Sequence, residues 1–188
     1  MIARLARRPS AWTAATGALA VAGLLWIAAS ARPALTGLTL LPNPRQGFPA
    51  PEFTLPSREG GEFSLADQRG QVVIINLWAS WCRPCRAELP ALERLHAEYT
   101  GRGLVVVGIN AADQDDRAAA EALLRELGIT FPIVFDASGQ ASRAYQLRSL
   151  PSTYVVGRDG IIRSVIFGGP VAAATLASLV DDLLAEAP

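Results

Sequence analysis

The amino-acid sequence predicts an α/β domain: a mixed sheet covered by helices on both faces. Three observations carry this. Short apolar runs alternate with segments of helical periodicity from residue 72 to 135. An Asp-Gly turn then joins two β-rich runs, which signals an antiparallel hairpin. An amphipathic segment closes the chain. Alternating strands and helices followed by a hairpin and a helix imply a sheet that mixes parallel and antiparallel neighbours.

The chain opens with Arg4, Arg7 and Arg8, and residues 9–31 then carry no charge. Those 23 residues would span roughly 34 Å as a helix, against a hydrocarbon core of about 30 Å. A basic flank keeps its end in the cytoplasm and sends the rest across. The segment 1–31 therefore reads as a signal-anchor in the cytoplasmic (inner) membrane. A cleaved signal peptide is the alternative, because Ala29-Ser30-Ala31 resembles a small-residue cleavage site and the strongest apolar stretch, 18–29, has signal-peptide length. A buried core helix suits neither the basic flank nor the linker beyond it. Both leading outcomes place the rest on the periplasmic side, in an oxidising compartment. Residues 32–47 hold Pro33, Pro42, Pro44, Gly37 and Gly47 and read as an extended tether. The folded domain is expected over residues 48–188.

Val72 to Trp78 is an apolar run broken only by Asn76, as in a strand buried on both faces. Arg83 to Tyr99 places Leu89, Leu92, Leu95 or His96, and Tyr99 at helical spacing. Pro90 should kink this helix, and His96 faces its packing side in a structural role. Leu104 to Ile109 is a second buried strand. Asp115 to Leu127 is a helix with Ala119, Leu123, Leu124 and Leu127 on its apolar face, and Phe131 to Phe135 is a short strand. Thr153 to Val156 and Ile161 to Phe167 flank the turn Gly157-Arg158-Asp159-Gly160. Leu176, Leu179, Val180, Leu183 and Leu184 mark the closing helix.

Composition narrows the function. Net charge is zero and no basic run follows residue 8, which disfavours nucleic acid as a partner. All 17 basic residues are arginines, so no lysine can do chemistry. The two cysteines, Cys82 and Cys85, and the single histidine, His96, cannot complete a four-ligand zinc site of cysteines and histidines. No metal and no cofactor are expected. A structural disulfide is a poor reading, since closing so short a loop removes unfolded-state entropy worth only about 2 kcal/mol. A redox pair remains. Cys82 follows a buried strand and opens a helix, where unpaired N–H groups and the positive helix end favour a thiolate. Arg83 adds a positive charge beside it. Cys82 is therefore expected to attack and Cys85, one turn further in, to resolve. Pro84 has no N–H to lose in the first turn and stiffens the loop. Glu88 shares a helical side with Cys85 and could exchange a proton with it. The alternative for Glu88 is a solvated glutamate paired with an arginine.

Trp78-Ala79-Ser80-Trp81-Cys82-Arg83-Pro84-Cys85 resembles the thioredoxin active site, and Arg86-Ala87-Glu88-Leu89-Pro90 narrows the resemblance to the membrane-anchored, extracytoplasmic TlpA, ResA and CcmG group. Pro49 to Leu55 resembles the group's opening segment, residues 113 to 135 its central αβ insertion, and Leu150-Pro151-Ser152-Thr153-Tyr154 its cis-proline loop. The resemblance covers about residues 48–188. It implies a thioredoxin-like mixed β-sheet flanked by helices, with that insertion. It implies a cis Pro151 beside the cysteines, a Leu150 backbone that pairs with bound peptide, and a client surface of Trp81, Arg83, Pro84, Leu150 and Pro151. The alternative for Pro151 is a trans proline starting a strand. The matching glutamate serves as a proton carrier in the group, and Asn76 stands where cytoplasmic thioredoxins have a buried aspartate, which leaves Glu88 the better acid–base candidate. Trp78 suits a core role at least as well as a surface one.

The same resemblance implies a monomeric reductase of exported client disulfides, such as those of apocytochrome c, recharged by a membrane electron donor resembling DsbD or CcdA. An oxidase or isomerase of the same fold is the alternative, because the residues between the cysteines set the potential over about −270 to −120 mV. A peroxiredoxin-like peroxidase and a metal chaperone fit less well. The first expects a different motif around its cysteine, and the second needs a third ligand.

Overall fold

The computed structural model describes residues 41–186. The signal-anchor, its candidate cleavage site and residues 32–40 of the tether lie outside them. Among the described residues no helix is long and apolar enough to cross a membrane.

In chain order the elements are β1 (Thr54–Pro56), β2 (Glu62–Ser64), β3 (Val72–Trp78), α1 (Arg83–Tyr99), β4 (Leu104–Asn110), α2 (Arg117–Leu127), β5 (Ile133–Phe135), α3 (Gln140–Ala144), β6 (Ser152–Val156), β7 (Ile162–Phe167) and α4 (Ala173–Ala185). The main sheet has the order β5-β4-β3-β6-β7. β3 runs parallel to β4, and β4 to β5, through helical crossovers. β6 is antiparallel to both β3 and β7. The mixed sheet expected from the sequence is thus the one observed. β3 is its centre and every residue of it is buried, which is why its run is almost continuously apolar.

Side chains alternate across the sheet. Ile74, Trp78, Val106 and Val155 face one core, shared with Leu89, Leu92, Leu123, Leu124, Leu176 and Val180 of α1, α2 and α4. Val73, Ile75 and Leu77 face the other, shared with Phe53, Leu55, Ala141 and Tyr145. Asn76 has the parity of Ile74 and Trp78, so the pleat points it towards α1.

Several local expectations shift. α2 starts at Arg117 rather than Asp115, because Asp116 caps it by accepting the Ala119 N–H at 2.8 Å. Its buried stripe is Ala120, Leu123 and Leu124, with Ala119 exposed and Leu127 half-buried. β5 starts at Ile133, two residues late, after Pro132, which has no N–H to donate. α1 continues through Pro90 as one helix. His96 is half-buried, with its ring edge-on to Phe131 at 6.2 Å. The ribbon β1–β2 and the five-residue α3 were not foreseen; such short elements carry too few residues for a period to register. Within the stretch read as tether, Pro44 is buried and the Gly47 N–H donates to Ile162 O at 2.8 Å. The hairpin turn closes with the Gly160 N–H donating to Gly157 O at 2.8 Å, at a Gly160 φ of 81° that favours glycine.

Candidate active site

β3 ends at Trp78, and a four-residue turn delivers Cys82 to the start of α1. Cys82 is the N-cap, with extended backbone, and its Sγ accepts the Cys85 N–H at 3.2 Å. The two sulfurs form a disulfide, so this is the oxidised state. Cys82 is 5% exposed and Cys85 1%, which makes Cys82 the sulfur more open to an incoming thiol. Pro84 lies in the first turn, where it costs no hydrogen bond.

The turn is held from the side. The Asp115 carboxylate accepts the Ser80 N–H at 2.6 Å, the Ser80 hydroxyl, the Asn110 side-chain amide at 2.7 Å and the Asp116 N–H at 2.9 Å. Trp81 donates its indole N–H to Gln114 O at 3.0 Å while leaving its ring 60% exposed. Arg83 and Pro84 are also exposed. Trp78, by contrast, is fully buried in the core below.

Glu88, one turn beyond Cys85, has no exposed surface. It is neither solvated nor paired with an arginine. Its Oε1 accepts the Thr153 hydroxyl at 2.7 Å and, at a long 3.4 Å, the Asn76 amide, which also donates to Thr153 Oγ1 at 2.9 Å. Asn76 and Thr153 are register partners on β3 and β6, so the pleat presents both to α1 together. Glu88 Oε2 and Asn76 Oδ1 are buried without a hydrogen-bond partner. Burial pushes the Glu88 carboxyl above the ordinary glutamate value, and the Thr153 hydroxyl and the Val171 amide oppose this more weakly. A carboxyl so placed holds a proton more readily than a solvated one and can trade it with a neighbour.

The Leu150–Pro151 peptide is cis. Leu150 is half-buried and touches both cores, and Pro151 O accepts the Gly168 N–H at 2.9 Å. A Cβ on Gly169 would stand 2.7 Å from Glu88 Oε2 and 2.9 Å from Pro151 Cγ. Glu88, Pro151 and Gly169 therefore meet at one point, and only glycine fits there. The Gly169–Pro170 bond is a second cis peptide in that loop. Asp115, Thr153 and Gly169 escaped sequence reading, because each acts through a partner that is distant in the chain. Among the described residues no cluster of three His, Cys, Asp or Glu side chains could hold a metal ion.

A buried dithiol–disulfide pair at a strand-to-helix junction, beside a cis-proline loop on this sheet, defines a thioredoxin-fold thiol–disulfide oxidoreductase. Residues 47–165 match the model of the AhpC/TSA family. The chain is 34% identical over 122 residues to thiol-disulfide oxidoreductase ResA of Geobacillus kaustophilus (strain HTA426), spanning 65% of this chain and 69% of that one. It is 35% identical over 125 residues to thioredoxin-like protein YneN of Bacillus subtilis (strain 168), spanning 66% and 72%. A thiol:disulfide interchange protein of the thioredoxin family from Chlorobium tepidum TLS superimposes with a TM-score of 0.66 at 27% identity, over 77% of this chain and 97% of that one. The chain belongs to the AhpC/TSA family, within its TlpA/ResA-like group of thiol–disulfide oxidoreductases.

Proposed function

We propose that this protein reduces disulfides in selected exported clients, on the periplasmic side of the membrane to which residues 9–31 anchor it. In the reduced enzyme the Cys82 thiolate attacks one sulfur of the client disulfide. That bond breaks, a Cys82–client mixed disulfide forms, and the freed client thiolate takes up a proton. Cys85 then loses its proton to Glu88 and attacks Cys82 Sγ, which releases the second client thiolate and closes the Cys82–Cys85 disulfide. The client gains two electrons and the enzyme loses two. A membrane dithiol carrier resembling DsbD or CcdA returns them. The cysteines of apocytochrome c are the client type that the family resemblance favours. Leu150 and Pro151, with Trp81, Arg83 and Pro84, form the client-facing surface.

The observation that carries this reading is the buried Glu88 carboxyl one turn from Cys85. It supplies a proton acceptor for the inner cysteine, the step on which release of a reduced client depends. A Cys85→Ser variant in the full-length protein should accumulate a mixed disulfide on Cys82, with the client identified by mass. The potential of the Cys82–Cys85 couple should lie nearer thioredoxin's, about −270 mV, than DsbA's, about −120 mV. A value at the DsbA end would make the protein an oxidase instead.

A further inference from the structure

A cavity of about 320 Å³ is walled by Arg45, Arg148, Gln146, Tyr145, Val165 and Phe167, none of which belongs to the cysteine turn. We propose that it receives an acidic side chain with an apolar neighbour, both from the same client polypeptide whose disulfide Cys82 attacks. The inference rests on the client-reducing reading above and adds to it a rule of client choice.

Position is the first argument. Leu77, Ser152 and Phe167 are register partners across β3, β6 and β7. Neighbouring strands lie about 4.8 Å apart, so Phe167 stands about 10 Å along the sheet end from the strand that leads to Cys82. Arg148 precedes the cis-proline dipeptide Leu150–Pro151 by two residues and is exposed.

Charge is the second argument. Arg45 and Arg148 are the charged residues that wall the cavity, on a chain whose net charge is zero. Neither makes an ion pair among the described residues. Two arginines in one cavity wall suit a carboxylate, which a guanidinium can bind with two parallel N–H donors. Phe167 is 60% exposed, with its ring edge-on to Tyr154 at 6.2 Å. Its free surface offers the apolar contact.

The test uses disulfide-bonded peptides that differ only in carrying Glu, Gln or Lys four residues from one cysteine. Rates of oxidation of the reduced full-length protein are followed by stopped-flow. The wild type should react with the Glu peptide about fivefold faster than with the Lys peptide, the scale of a pair of exposed ion contacts. Salt at about 0.5 M should shrink that ratio. Arg45→Glu with Arg148→Glu should invert it. The ratio is taken within each enzyme, so a general loss of activity cancels. Arg148→Gln alone should bring it towards one, and serves if the double variant does not fold. Equal rates for the three peptides with the wild type would overturn the inference, as would an unchanged ratio in the variants. Hydroxyethyl disulfide, small and neutral, separates the two readings. If the wild type reduces it but ranks the peptides equally, only the client rule fails. If the wild type reduces neither it nor any peptide, the reductase reading fails and takes the client rule with it.

Discussion

Glu88 is the residue on which the proposed chemistry turns. It follows two exposed residues, Arg86 and Ala87, on its helix, yet it is wholly buried. Its partners are polar but neutral, so they only partly repay the loss of hydration when it ionises. Its pKa is raised, which means that between the ordinary glutamate value and the raised one the folded state keeps a proton that the unfolded state has lost. Stability is therefore full below the ordinary value, about pH 4.3, and falls as pH rises through the raised one. Glu88→Gln should flatten that decline. Denaturant midpoints measured across the acid-to-neutral range check it, and parallel curves for the two proteins would contradict it. The same variant should slow client reduction without preventing the mixed disulfide from forming, since Cys82 does not depend on Glu88. Cys82 itself should alkylate in the reduced protein with a pKa below the free value of about 8.5, because the α1 N-terminus favours its thiolate.

At the scale of elements, the site depends on a tie between two loops. The turn after β3 carries Ser80, Trp81 and Cys82, and the loop after β4 carries Gln114, Asp115 and Asp116. Asp115 joins them by accepting from Ser80 and Asn110 at once. Asp115→Ala leaves those donors unpaired and should destabilise the protein by about 1–3 kcal/mol. It should also change the fluorescence of the exposed Trp81. Asp116 next to it has a separate task as the α2 cap. Asp116→Ala should cost about 1 kcal/mol and leave the potential of the cysteine couple where it was. Thermal melts and a glutathione-buffered redox titration, run on both variants, separate the two roles.

For the whole molecule, β3 is the shared wall of two cores. Loss of either core exposes the same strand, so both should unfold together. Leu89, on α1, is fully buried in the core that α1 shares with β3. Leu89→Ala should cost about 2–5 kcal/mol, with near- and far-ultraviolet circular dichroism falling in a single transition. Non-coincident transitions would show that the face carrying α3 holds without the one carrying α1.

Most of this architecture was legible in the chain. The apolar run at Val72–Trp78, broken only by Asn76, the Leu spacing through Arg83–Tyr99 and the Asp-Gly turn at Asp159–Gly160 are local signals, because burial on both faces, burial on one face and tight reversal each select residue types at fixed spacing. Cys82 and Cys85 were legible for the same reason, since a helix N-terminus acts on the residues that start it. α2 starts two residues beyond where periodicity alone puts it, with its stripe shifted by one, because the cap and not the periodicity sets where a helix begins. What only the tertiary structure decided is everything that depends on register between distant strands. It brings Thr153 opposite Asn76, folds the Gly168–Pro170 loop over Glu88, and sets Phe167 and Arg148 around one cavity. Pairing register is a relation between segments some eighty residues apart, and no composition or spacing within either one contains it.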